Sequence, residues 1–199
     1  MPIYYAAYCL LHYFVPTKYG QKLLVDIAKS GTSIHILTNS LVANDVAAVH
    51  SGYAKYRKPL LKADIKLFEL KPDAAPITQK KKQGLASVYR GGSGSSLHAK
   101  TFTVDGRYMF VGSYNLDPRS AIHNNEMGII NSPEMAQAVD EHILNNLHHT
   151  TYHLELSDHR LQWYSITDHD NPDVHQENTT HHQDPAASWH KRVGVWLLK

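Results

Sequence analysis

A run of eighteen residues, from His98 to Asn115, carries residue types that together could perform phosphoryl chemistry. Written as H-x-K-x4-D-x6-G-S-x-N, the pattern places six residues at fixed offsets: His98, Lys100, Asp105, Gly112, Ser113 and Asn115. An imidazole can attack phosphorus, while a cation and short polar side chains neutralise the non-bridging phosphate oxygens. The pattern occurs once, because no other histidine has a lysine two positions later.

The surrounding sequence predicts that a β-hairpin presents this run. Residues 97–104 and 108–111 are rich in β-branched and apolar types, and the Asp105-Gly106 pair between them is a strong two-residue turn signal. Side chains two positions apart on a strand project from the same face. We therefore expect the imidazole of His98 and the ammonium group of Lys100 side by side.

Small and polar residues at the end of the return strand complete the predicted phosphate site. Gly112 lets backbone N–H groups approach an anion, and Ser113 and Asn115 add short hydrogen-bonding side chains. If these groups and the lysine neutralise the phosphate charge, no metal or other cofactor is needed. A general acid must still protonate the departing alcohol, and a second histidine outside the motif is the candidate for that role.

The motif resembles the HKD motif of the phospholipase D superfamily. His98 and Lys100 match it residue for residue, and Gly112, Ser113 and Asn115 match the downstream G-S-x-N. In that family two such motifs meet across a pseudo-twofold axis, one histidine acting as nucleophile and the other as general acid, without a metal. The resemblance implies catalytic roles for His98 and Lys100, and leaves open which of the two histidine roles belongs to His98.

Two acidic residues also take their roles from the resemblance. Asp105 matches the aspartate of the motif and is counted with the catalytic residues, although its place in the predicted turn favours a structural role. Residues 117–120 and 125–127 look like the bacterial cardiolipin synthase branch of the family. Glu126 would there orient a catalytic histidine through a hydrogen bond.

The resemblance extends beyond the motif, to the carboxyl-terminal half of cardiolipin synthases of the C type. The runs at 13–17, 38–40, 44–46 and 69–72 carry it. The first half of that family, with its own HKD motif, has no counterpart here, so the chain is expected to be truncated. Three regions are predicted: an atypical apolar stub at 1–12, a phospholipase D-like domain at 13–150, and a polar, His-rich extension at 151–199 with an aromatic and basic end.

Hydrophobic periodicity predicts an α/β fold, with a mixed sheet flanked by helices. The expected strands are 33–38, 65–70, the 97–112 hairpin and, as the last strand, 129–131. The expected helices are 18–28, 44–61 and one that begins at Ser132-Pro133 and buries Met135, Val139, Ile143 and Leu147. Residues 84–96 and 168–185 are predicted to be loops, and 1–12 either an ordered strand or a frayed stub.

Composition limits the class of protein and its partners. With 199 residues and 42% hydrophobic content, the chain can bury one sizeable core, and its one cysteine excludes an intramolecular disulfide. Lys80–Lys82 could hold anionic lipid headgroups or a nucleic-acid backbone, or form a solvated loop. Residues 189–197 interleave aromatic, basic and apolar types, which fits either a membrane interface or the completion of a core. The irregularly spaced histidines after residue 131 do not predict a metal site.

Three functions follow, which differ in what completes the site. The first is a phosphatidyltransferase that carries a phosphatidyl group on histidine and passes it to phosphatidylglycerol. Its partners would be anionic phospholipids, the membrane surface and the missing half with a second HKD motif; it would lie peripherally on the bacterial inner membrane, or in the cytoplasm as a soluble fragment. The second is a phosphodiesterase or nuclease in which a homodimer supplies both histidines and nucleic acid is the substrate. The third is a folded remnant whose active site is never completed.

Overall fold

The computed structural model describes residues 5–72, 97–113, 115–117, 128–167 and 177–198. Within these ranges, nine strands form one mixed sheet: β1 Ala6–Leu11, β2 Ser33–Asn39, β3 Lys66–Leu70, β4 Lys100–Val104, β5 Tyr108–Val111, β6 Ile129–Asn131, β7 Thr151–Ser157, β8 Arg160–Thr167 and β9 Glu177–His181. The helices are α1 Thr17–Lys29, α2 Ala47–Ala54, α3 Arg57–Lys62, α4 Pro133–Thr150 and α5 Trp189–Leu197. The predicted α/β class with a mixed sheet is confirmed. In the described part of the chain, no helix combines the length and the apolar content needed to cross a bilayer.

Helices cover both faces of the sheet, whose strand order is β6-β5-β4-β1-β2-β3-β7-β8-β9. The central strands β1, β2 and β3 are parallel, and the other neighbouring pairs are antiparallel. Alternation along β2 shows how the two cores are filled. Ile34 and Ile36 pack into the core beneath α1, α2 and α3, whereas Leu37 packs into the core beneath α4.

Four chain segments meet at one edge of this sheet because of the strand directions. The parallel strands β1 and β2 both end there, the antiparallel strand β4 starts there, and β5 returns to it. The register pairs Leu11 with Lys100, and the N–H of Gly112 donates to the Lys100 carbonyl at 3.2 Å. We call this the His98 edge. In open α/β sheets, ligands bind outside the carboxyl ends of the parallel strands.

The single helix predicted at 44–61 is wrong, because the chain forms α2 and α3 with a break after Ala54. Pro59 gives the physical reason. Inside a continuous helix, proline would lack the N–H that bonds to the carbonyl of residue 55, and its ring would clash with that carbonyl. Because α3 begins at Arg57, Pro59 lies in its first turn, where a backbone N–H would have no hydrogen-bond partner within the helix.

The strand at Ile129–Asn131 exists, but the prediction that it is the last strand is wrong. Strands β7, β8 and β9 follow it and extend the sheet beyond β3. β9 falls inside the predicted loop at 168–185. β9, with the sequence ENTTH, contains no apolar residue. β7 and β8 look polar because few of their residues are both apolar and buried, such as Tyr152, Leu154 and Trp163. The apolar stub at 1–12 contains β1, which is a central strand and so fits the ordered alternative.

The predicted start of α4 is confirmed. Ser132 caps the helix by accepting a hydrogen bond from the N–H of Met135, and Pro133 occupies the first turn. The expectation that Met135 belongs to the buried face is wrong, since its side chain is 45% exposed. The buried stripe begins one residue later, in keeping with the helical period, and consists of Ala136, Val139, Ile143 and Leu147.

A buried ionic network joins the carboxyl-terminal segment to the rest of the fold. Nη2 of Arg57 lies 2.8 Å from Oε1 of Glu69 and 2.7 Å from Oδ1 of Asp184. The indole N–H of Trp163 donates to the second oxygen of Glu69 at 3.0 Å. Burial alone would raise the pKa of Asp184, but the charge of Arg57 and hydrogen bonds from His50 and Arg57 outweigh it and hold that pKa well below its usual range. The carboxylate is therefore ionised wherever the protein is folded near neutral pH.

Candidate active site

His98 and Lys100 lie together at the start of β4. His98 is exposed, Lys100 is half-buried, and Nζ of Lys100 lies 3.5 Å from Nε2 of His98. Ala99 between them is buried in the core under α4, and strand alternation therefore turns both neighbours to the other face. Partial burial lowers the pKa of Lys100. The predicted side-by-side arrangement is confirmed: an accessible imidazole stands next to a cation.

The end of β5 brings three more motif residues to the His98 edge. The hydrogen bond from Gly112 to the Lys100 carbonyl holds this segment against the start of β4. Ser113 follows and is half-buried, as is Asn115. Within the described ranges, Oδ1 of Asn115 is buried without a hydrogen-bond partner. Because such an atom is costly unless a partner reaches it, the Asn115 amide is suited to contact a ligand.

The structure does not bring Asp105 to this site. Asp105 and Gly106 have φ values of 56° and 58°, as a tight Asp-Gly turn requires, although the loop spans 105–107 and so is one residue longer than predicted. The Asp105 carboxylate accepts a hydrogen bond from the N–H of Ala6 at 3.0 Å, and its own N–H donates to the Ala6 carbonyl at 2.8 Å. Asp105 lies five positions after Lys100, which in an extended strand is a distance of about 16 Å. Asp105 thus ties the hairpin to β1 from the far edge of the sheet.

Glu126 lies outside the described residues, so its role in orienting a histidine stays a prediction. The same holds for the glycine-containing loop at 84–96 and for Lys80–Lys82. Among the residues that are described, no group of three histidine, cysteine or acidic side chains is placed to hold a metal ion.

A second histidine, His12, contacts His98 and was not singled out from the sequence. The two ring centroids are 4.5 Å apart, with their planes inclined by 55°. His12 is 5% exposed, and its Nδ1 hydrogen-bonds to the carbonyl of Leu97, which fixes the proton on that nitrogen because a carbonyl can only accept. Burial, and then the proximity of His98 and Lys100, lowers the pKa of His12 despite the opposing bond to Leu97. His12 is therefore a neutral imidazole of fixed orientation that lies beneath the accessible ring of His98.

Asn39 completes the support of the His98 strand. Its Nδ2 donates to the Leu97 carbonyl at 3.0 Å, and its Oδ1 accepts from the Leu97 N–H at 2.8 Å. Asn39 ends β2 and His12 follows β1, so each lies at the carboxyl end of a parallel strand. A search for polar residues at the ends of buried strands could have found both.

Comparison with known proteins identifies the family. A family model described as cardiolipin synthase, PLD-like domain, matches residues 6–147. The chain belongs to the phospholipase D-like family. Within it, cardiolipin synthase C of Escherichia coli K12 is 41% identical over 187 residues, an alignment that covers 93% of this chain and 37% of the relative. The chain thus spans little more than a third of that relative's length.

Two solved structures resemble the chain more distantly. The phospholipase D family member Nuc of Salmonella typhimurium is 15% identical with a TM-score of 0.48, over 70% of this chain and 76% of its own. A phosphatidylserine synthase of Haemophilus influenzae is 16% identical with a TM-score of 0.49, over 75% of this chain and 33% of its own. At this distance neither structure bears on the substrate.

Proposed function

We propose that this phospholipase D-like chain takes part in phosphatidyl transfer for cardiolipin synthesis, with His98 as the residue that bonds to phosphorus. The observation that carries the proposal is the accessible His98 imidazole with the Lys100 ammonium group 3.5 Å away. Membership of the family and 41% identity to a cardiolipin synthase support the choice of a phosphatidyl donor.

The reaction divides into two displacements at phosphorus. In the first, a neutral nitrogen of His98 attacks the donor phosphate, a P–N bond forms, and the P–O bond to the leaving glycerol breaks. The departing oxygen takes a proton from a general acid. In the second, a hydroxyl of phosphatidylglycerol loses its proton to the same group and attacks phosphorus, which releases His98 and yields cardiolipin. Water in place of that hydroxyl would yield phosphatidate.

The residues around His98 neutralise the negative charge on the phosphate oxygens in this reaction. Lys100 neutralises a non-bridging phosphate oxygen, and Ser113 and Asn115 offer hydrogen bonds to the phosphate or to the attacking hydroxyl. Gly112 keeps the end of β5 close to the start of β4 through its bond to the Lys100 carbonyl. No metal or other cofactor has a role in this scheme.

The general acid is the missing partner of His98. His12 is unsuited to that role, because it is 5% exposed and its Nδ1 is engaged by Leu97. We assign the role to an imidazole from a second HKD motif, contributed either by another part of a longer polypeptide or by a second copy of this chain across a twofold axis. Glu126 is assigned to orient the reacting histidine pair. The substrates place the protein peripherally on the bacterial inner membrane.

Trapping the covalent intermediate tests this function. The protein, purified in a form that contains two HKD motifs (the homodimer or the longer polypeptide), is mixed with phosphatidylglycerol that carries ³²P. The reaction is quenched in alkali and assayed for acid-labile label on protein and for cardiolipin and phosphatidate. Label on His98 that chases into either lipid is the expected result. Cleavage of DNA or bis(p-nitrophenyl) phosphate without any labelled phosphatidyl protein would instead indicate the homodimeric phosphodiesterase. Label that accumulates in a His98→Ala variant would make His98 the general acid.

We expect His12→Ala to reduce turnover by about tenfold through loss of the ring that packs against His98, since a misplaced reacting group can cost up to about 10²-fold. The fall should appear in kcat, with KM nearly unchanged, because His12 has no access to substrate. His35→Phe is the control, since His35 is a half-buried histidine whose ring packs against Tyr8 and Phe68. Equal kcat values for the His12 variant and the wild type would show that this ring does not position His98.

A further inference from the structure

Helix α5 presents an apolar face that nothing in the described part of the chain covers. Trp189, Val193, Trp196 and Leu197 are 63%, 44%, 69% and 70% exposed. Their spacing of four, three and one residues places them on one face of the helix. Two tryptophans on a short, exposed apolar stripe are unusual for a surface in contact with water alone.

The opposite face of α5 is firmly packed, so the exposed stripe is not a consequence of a loose helix end. Val195 is 5% exposed and packs with Leu41 and Ala187 in a small separate core. Its carbonyl accepts a hydrogen bond from the Ser51 hydroxyl at 3.1 Å, and Ser188 caps the helix through the N–H of Lys191. Of the two alternatives for residues 189–197, completion of a core is met by Val195 and not by Trp196 or Leu197.

Helix α5 carries two basic side chains and no acidic one. Arg192 borders the stripe and is half-buried, with its Nη1 held 2.6 Å from Oε1 of Gln183, whereas Lys191 is exposed one helical turn before Val195, on the other side of the helix. Tryptophan prefers the boundary between lipid headgroups and acyl chains, and each lysine or arginine near an anionic surface adds a favourable charge interaction. A twofold pairing of this face with a second copy would instead bring the cationic groups of both copies together. The charge therefore favours an anionic lipid surface over self-association.

The position of α5 relates this stripe to the His98 edge. Leu41, on which α5 packs, lies two residues after Asn39, and Asn39 bonds to Leu97 beside His98. The helix thus sits over the loop that leaves the carboxyl end of β2, at the sheet edge where the reacting groups lie. A lipid surface held by α5 would present its headgroups at that edge.

We infer that the stripe formed by Trp189, Val193, Trp196 and Leu197, with Arg192 beside it and Lys191 on the same helix, docks the protein onto an anionic lipid bilayer beside the His98 edge. The biological meaning of this docking rests on the proposed function, because phosphatidyl substrates reside in a bilayer. Docking itself requires no catalysis. An experiment can therefore contradict the docking and the proposed catalysis independently.

Vesicle flotation tests the docking. Wild-type protein should float with vesicles of phosphatidylglycerol and phosphatidylcholine, and far less with phosphatidylcholine alone. Trp196→Ser combined with Leu197→Ser should weaken the partition into the mixed vesicles at least about tenfold, given the apolar area lost. Tyr19→Ser combined with Leu23→Ser is the matched control, because these α1 side chains are also exposed, at 79% and 50%, but belong to another surface. That control should float like the wild type.

Two further measurements separate the alternatives. The chain has three tryptophans and Trp163 is buried, so a shift of tryptophan emission to shorter wavelength on addition of vesicles reports on α5. His98→Ala should float as the wild type does, even where it abolishes transfer. The inference is overturned if the protein does not float, if it floats equally well with neutral vesicles, or if the α1 and α5 variants lose flotation equally. It is also overturned if light scattering shows that the wild type and the α1 variant are dimers whereas the α5 variant is a monomer.

Discussion

Replacing His98 by alanine is expected to abolish phosphatidyl transfer, with a loss on the order of 10⁴-fold or more, as removal of a nucleophile causes in enzymes that work through covalent intermediates. No neighbouring group can take over its part. His12 is the ring in contact with it, but its 5% exposure and its bond to Leu97 keep it from phosphorus. The measurement is the rate of cardiolipin and phosphatidate formation from labelled phosphatidylglycerol.

The control for this variant is His148→Ala, an exposed histidine on α4 that lies beside β7 and β8, and β7 is four strands away from β4 in the sheet. It should keep wild-type turnover. A His98→Ala protein that retains more than a few per cent of the wild-type rate, while remaining folded by circular dichroism, would refute the assignment of His98.

Lys100→Met tests the charge next to His98 and is expected to reduce turnover less than His98→Ala does. Loss of one preorganised charge at a transition state typically costs about 10²–10³-fold in kcat. The methionine keeps the aliphatic length of Lys100, so the strand packing is preserved and the lost quantity is the charge next to His98. A Lys100→Met rate equal to that of the wild type would mean that the ammonium group does not touch the reacting phosphate.

Replacing Arg57 by methionine is expected to have the largest effect on stability, a loss of about 3–5 kcal/mol in the free energy of unfolding. The reason is that Glu69, which is 0% exposed, would lose its cationic partner and be left with uncharged hydrogen-bond donors such as the Trp163 N–H. Asp184 would lose its cation at the same time. Urea unfolding at neutral pH measures the change.

Lys22→Met is the matched control for charge removal. Its partner Asp26 lies one helical turn away, and the two side chains are 76% and 52% exposed, so loss of that pair should cost less than about 1 kcal/mol. Similar losses for the two variants would contradict the buried network.

The same network predicts a pH dependence of stability. Because the pKa of Asp184 is depressed in the folded state, its contribution is fully present above the unfolded value, about 3.9, and is lost as the pH falls towards the folded value. An Asp184→Asn variant should therefore show a smaller loss of unfolding free energy than the wild type between neutral pH and acid. Parallel pH profiles for the two proteins would show that Asp184 does not hold this segment.

Local sequence determined the hairpin and the two groups that it presents. The Asp105-Gly106 pair favours positive φ, and the strand period alone places the side chains of His98 and Lys100 on one face. Pairs this close along the chain need no knowledge of the fold. The α/β class could be predicted for the same reason, since helix and strand periods are local properties of the chain.

Strand order decided what the sequence left open. His12 and Asn39 reach His98 only because β1 pairs in parallel with β2 and antiparallel with β4, a choice made by packing between segments far apart in sequence. Asp105 lies away from the site because it is five positions along an extended strand from Lys100. The strands after α4 could not be recognised from the sequence because few of their residues are both apolar and buried, so that polar residues dominate these segments.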